Sequence, residues 1–228
     1  MGFSNRLRLC GAALFLGLLP VCAAAQDLKT IALPEPVRKG GLTVMEALSL
    51  RASVREWSDR ELTPQEISEL LWSANGINRP EIKKRTAASA LNAQDVDLYV
   101  FLKEGVYRYE PVRHALEPVA AGDHRKEIPP AGPRPAADGK VPPLPPVHLL
   151  LISDLSRFSA GTPEQRREWA ALDAGIVSQN IALFCAARGL GTRPRASIDK
   201  ERMKSLLRLK ETQVAFLEHP VGYPPPPR

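Results

Sequence analysis

Cysteine is scarce in this 228-residue chain, and so are aromatic residues, histidine and any long block of one charge sign. Of three cysteines, Cys10 and Cys22 lie in the first 22 residues. Only Cys185 remains further on, so no intramolecular disulfide can support the fold, and Cys185 reads as a small core residue. The four histidines, His114, His124, His148 and His219, are scattered. No Cys/His cluster has metal-ligand spacing, and no metal is expected. Lys and Arg total 31 against 25 Asp and Glu, a net charge of +6. No Lys/Arg stripe interleaved with aromatics appears, so nucleic acid is not an expected partner. Also missing are a glycine-rich dinucleotide fingerprint after a strand, a Ser/His/Asp arrangement and a paired-carboxylate pattern.

Proline, in contrast, is abundant at 22 residues, concentrated in residues 129–146 and in the last five. The first 25 residues have a basic start at Arg6 and Arg8, a short apolar run from Cys10 to Val21 and Ala23-Ala24-Ala25 before Gln26. That pattern predicts a secretory signal peptide cleaved after Ala25, and so a periplasmic or secreted protein with no stable membrane span after cleavage. A lipoprotein reading would need a small residue before Cys22, where Val21 stands; an uncleaved N-terminal anchor is a further alternative. Loss of the segment removes two arginines and no acids, leaving +4.

The remaining length suits one domain with a proper core. Residues 26–42, with Pro34, Pro36, Gly40 and Gly41, read as an extended arm. Thr43-Val44-Met45-Glu46 and Thr63-Pro64-Gln65-Glu66 are capping boxes that open helices, the first ending near Ala52, the second at Asn75-Gly76. Residues 77–94 read as a basic loop. Strands are expected over Val96–Leu102, Val106–Tyr109 and Leu116–Val119, with Tyr99, Tyr107 and Tyr109 packing the sheet. Residues 129–146 can form neither a regular helix nor a central strand. The apolar run Val147–Ile152 suits a strand buried on both faces. Thr162 opens a helix that runs to Arg188, apolar nearly all round from Trp169; its polar exceptions Asp173, Gln179 and Asn180 need structural partners. A helix from about Asp199 to Leu209 and a strand over Gln213–Leu217 complete the chain.

Two remote stretches carry the chemistry. Arg51-Ala52-Ser53-Val54-Arg55 sets two guanidiniums and a hydroxyl at a helix exit, a donor set that matches phosphate oxygens. Arg85-Thr86-Ala87-Ala88-Ser89-Ala90-Leu91-Asn92-Ala93-Gln94 supplies side-chain amides that can donate and accept toward a polar ring. Either alone is also the pattern of a solvated surface. Together, and with Gly76-Ile77-Asn78-Arg79-Pro80, Asp95 to Tyr99, Asp173 to Thr192 and Gly222-Tyr223-Pro224, they resemble the nitroreductase family. The likeness is greatest to the branch with the thiazoline/oxazoline dehydrogenases.

The resemblance implies, over residues 43–228, an α+β, three-layer fold: a mixed, mainly antiparallel sheet flanked by helices, with a long buried central helix. It implies FMN as cofactor. Arg51, Ala52, Ser53 and Arg55 would hold the phosphate, with Arg228 as a further cation. Ser89, Asn92 and Gln94 would lie at the ring, and a backbone N–H of Ala196 or Ser197 would face flavin N5. No catalytic side chain is named. The implied activity moves hydride between a donor such as NAD(P)H and a nitro or quinone-like acceptor, in a homodimer. The alternatives are a dehydrogenase of azolines or another exported small molecule, and a non-enzymatic binding protein that keeps the fold.

Overall fold

A computed structural model describes residues 28–129, 139 and 143–226. The signal-like start, most of the proline-rich stretch and Arg228 lie outside the described residues. Each expected capping box is formed. Thr43 and Glu46 open α1 (Val44–Leu50), Thr63 and Glu66 open α2 (Pro64–Asn75), and Thr162 and Gln165 open α3 (Pro163–Ala187). In each, the side-chain oxygen of the capping threonine accepts from a backbone N–H that the helix cannot bond, and the N3 side chain returns the bond.

The arm contributes more structure than its prolines and glycines suggest. Ile31–Ala32 forms β1, which pairs with β6 (Ala115–Ala121). The basic stretch is likewise not one loop. It folds as β2 (Ile77–Arg79) and β3 (Lys84–Arg85), an antiparallel pair, followed by a single turn at Ala90–Asn92. Three-residue strands have too little periodicity to announce themselves in a sequence.

The main sheet also contains β4 (Val96–Phe101), β5 (Gly105–Glu110), β7 (Val147–Asp154), β8 (Gly191–Thr192) and β9 (Gln213–Gly222). Its order is β1-β6-β5-β4-β7-β9-β8, with every strand pair antiparallel. The element that makes it mixed is an isolated parallel bridge from Ser53 to Thr192 of β8.

β7 is buried along its whole length, and alternation divides it between two cores. Leu149 and Leu151 join Leu70, Leu71, Val177 and Ile181 beneath α2 and α3. Leu150 and Ile152 join Phe101, Met203 and Leu207 on the other face, beneath α4 (Lys200–Leu207). The result is three layers, as expected. Tyr99, Tyr107, Tyr109 and Cys185 are buried in these cores.

The long helix departs from expectation on one side. Ala170, Ala174, Val177 and Ile181 are buried, yet Leu172 is 61% exposed and Ile176 40% exposed. On the adjacent α1, Met45 is 74% exposed and Val44 67%. The chain by itself therefore leaves apolar residues of α1 and α3 uncovered.

Because β7 faces two packed layers, truncation on either side leaves a cavity. Leu150→Ala and Leu151→Ala should each lower stability by about 2–5 kcal/mol, read as a drop in the urea midpoint with an unchanged m-value.

Candidate functional site

Arg51 caps α1, its N–H donating to the Ala47 carbonyl at 3.0 Å. The chain then leaves the helix and runs beside β8, and the Val54 N–H donates to the Thr192 carbonyl at 3.0 Å. This approach requires Gly191: a Cβ there would lie 2.7–2.9 Å from the Val54 side-chain carbons. Downstream, the Ser58 N–H donates to the Tyr223 carbonyl at 2.9 Å, and buried Trp57 packs on Gly222. The segment is thus tied to the sheet at both ends, while Arg51, Ala52, Ser53 and Arg55 stay exposed.

The same edge carries Arg193 and Arg195. Arg195 exchanges two backbone bonds with Glu218, at 2.9 and 2.8 Å, and its guanidinium pairs with the buried Glu218 carboxylate. The other oxygen of Glu218 lies 3.2 Å from His148 Nδ1. Burial holds both His148 and His219 below the usual histidine range, His219 down to about 3. His219 is therefore a neutral bridge, with Nε2 2.8 Å from Ser178 Oγ and Nδ1 3.1 Å from Thr192 Oγ1. Ala196 and Ser197 follow as an exposed turn leading to Asp199, the N-cap of α4.

The second stretch is built differently. Leu91, Asn92 and Gln94 all have positive φ, at 53°, 54° and 48°. Such a run is uncommon outside glycine, and surrounding structure must hold it. Asp173 of α3 accepts the Ala90 N–H at both oxygens, at 3.0 and 2.9 Å, and Ser89 Oγ accepts the Gln94 N–H at 2.9 Å. Arg157 donates to the Gln94 carbonyl at 2.9 Å and pairs with Asp97. Leu91 and Asn92 are left exposed at the tip. Gln94 is bound within its own loop: its Oε1 accepts from Arg85 at 3.0 Å and its Nε2 donates to the Lys83 carbonyl at 3.0 Å. Among the described residues it shapes the loop, and Asn92 is the amide presented outward.

The protomer brings Arg51, Ser53 and Arg55 together with the 193–197 turn, at the edge beyond β8. The 88–94 loop runs into β4 and is held on α3 through Asp173. Sequence reasoning found the first cluster through Arg-x-Ser-x-Arg but missed Arg193, whose only signal was its place beside Pro194 and Arg195. It did give Asp173 and Asn180 structural partners, and Asn180 donates to the Ala74 carbonyl at 3.2 Å. Gln179 is exposed instead.

This arrangement can be set beside known proteins. The nitroreductase family model matches residues 48–223. The chain belongs to the nitroreductase family. The match includes the arginine segment, the strained loop and the 193–197 turn. A relative from Methanocaldococcus jannaschii described as a candidate nitroreductase is 26% identical over 183 residues, 78% of this chain and 89% of its own. The crystal structure of a candidate nitroreductase from Ralstonia eutropha is 33% identical, with a TM-score of 0.76 over 91% of this chain and 95% of that one. A chain of the E. coli microcin synthetase McbBCD complex shares the fold, at 17% identity and a TM-score of 0.63, over 92% of this chain and 84% of its own. As a member of this family the protein is an oxidoreductase of the flavin-using kind.

Beneath the strained loop lies a buried carboxyl group. Asp95 is fully buried, one oxygen accepts from Ser153 Oγ, and the other, Oδ1, has no hydrogen-bond partner among the described residues. Burial first, then the Asp173 carboxylate, push Asp95 up to about 7. Its folded pKa is above its unfolded value of about 4. The stability it contributes is thus complete below about pH 4 and is lost as pH rises through about 7. Asp95→Asn fills the same space without a proton to lose. Its stability relative to wild type should rise by about 1–3 kcal/mol between pH 5 and pH 8, checked by urea unfolding at both pH values.

Proposed function

We propose that this family member is an FMN-dependent oxidoreductase that moves hydride between a reduced donor such as NAD(P)H and a conjugated nitro or quinone-like acceptor. The observation that carries the reading is the close set of Arg51, Ser53, Arg55 and Arg193 on one sheet edge. Three guanidiniums and a hydroxyl suit a phosphate, and the buried Nε of Arg193 has no hydrogen-bond partner among the described residues. In this reading Arg51, Ser53 and Arg55 hold the FMN phosphate, Asn92 bonds the pyrimidine edge, and an N–H of Ala196 or Ser197 supports the ring near N5. Bound flavin supplies the two-electron chemistry, while the chain binds, orients and shields it.

The uncovered apolar face of α1 and α3 supports a homodimer. Val44, Met45 and Leu48 of α1 and Leu172 and Ile176 of α3 are exposed, and a second copy would bury them. The signal-like start supports export to the periplasm, where free NAD(P)H is scarce; a different electron donor, or oxidation of an exported small molecule such as an azoline, is the alternative there.

Two experiments test this reading. Purified wild type should be yellow and hold FMN, and Arg51→Ala with Arg55→Ala should leave it colourless; a double variant as yellow as wild type would contradict the site. Leu172→Glu should convert a dimer to a monomer in sedimentation velocity, and a monomeric wild type would contradict the dimer.

A further inference from the structure

The resemblance implies a further cation for the flavin phosphate near the C-terminus, where Arg228 is the candidate. The structure offers another group, already in place. The Ser53–Thr192 bridge and the Val54–Thr192 hydrogen bond set residues 53–55 alongside 192–193. Arg193 thereby comes within electrostatic reach of Arg195 and of Arg55.

Arg193 and Arg195 differ in what they hold. Arg195 is tied to Glu218 through the backbone and through an ion pair. Glu218 in turn bonds His148. Arg193 has no carboxylate of its own among the described residues: its guanidinium carbon sits 6.0 Å from the Trp57 ring centroid, and its Nε is buried without a hydrogen-bond partner. A half-buried cation between two others is unfavourable unless an anion offsets the repulsion. Burial and the neighbouring Arg195 and Arg55 all weaken its hold on its proton, with only Glu218 opposing.

We propose that Arg193, fixed beside Arg55 by the pairing of Ser53 with Thr192, is the third cationic ligand of the flavin phosphate. This rests on the FMN reading above and assigns to the 193 position the part that the sequence pattern places at the C-terminus. Arg193 is a binding residue and takes no part in electron transfer. Its contribution is specificity for the phosphorylated flavin: the ring and ribityl chain are common to FMN and riboflavin, and only the phosphate meets the guanidinium.

The test uses apo-protein prepared from the full chain, titrated with FMN and with riboflavin while flavin fluorescence is followed. Wild type should prefer FMN. Arg193→Gln should weaken FMN by about 10- to 100-fold, the size of a lost hydrogen bond between charged groups, and leave riboflavin within about 3-fold; Arg193→Lys should recover part of the preference. Retention of the full FMN preference by Arg193→Gln would overturn the assignment, as would equal weakening of both flavins, which would mark a structural role. A wild type that binds both flavins equally would mean that no phosphate site exists, and one that binds neither would sink the flavin reading and this assignment with it.

Discussion

The candidate site depends on one backbone contact, the Val54 N–H against the Thr192 carbonyl. It adds a short parallel element to the edge of an otherwise antiparallel sheet. Without it, Arg51, Ser53 and Arg55 would be the frayed end of a seven-residue helix, and long exposed side chains there would hold little. Gly191 permits the approach, Trp57 against Gly222 anchors the far side, and the arginines of two distant parts of the chain are thereby set on one surface. Position here is made by backbone, and charge is added to it.

The opposite principle governs the 88–94 loop. Its backbone is held in left-handed conformations by side chains below it, chiefly Asp173 and Ser89, with Arg157 at its exit. Asp173 in turn lies within electrostatic reach of Asp95. Asp173, one of the polar exceptions in the long helix, thus serves to shape a loop, which explains why a helix with an apolar core face keeps a buried carboxylate in its first half.

Much of this was legible from sequence, for physical reasons. Capping boxes are local, so α1, α2 and α3 began where the threonines said they would. The run at residues 147–152 announced a strand covered on both sides, because alternation fails only when both faces are apolar. Arg-x-Ser-x-Arg with Asn92 pointed to the family. What sequence did not show depends on tertiary pairing: β1 on β6, the β2–β3 pair, the extension of β9 to Gly222, and Arg193 meeting Arg55. None has a periodic signal, and the last links residues 138 positions apart in the chain. Sequence also gave α3 an apolar surface nearly all round, but only the fold shows which part a single protomer leaves open.

Whether two separate parts of the fold serve one ligand is settled most directly by a crystal structure of the full-length chain with FMN bound. The account predicts phosphate oxygens within about 3 Å of Arg51, Ser53 and Arg55, and the pyrimidine edge against Asn92 of the same chain or its twin. A flavin bound away from the arginine segment, or one whose ring never meets a residue 92 side chain, would contradict it.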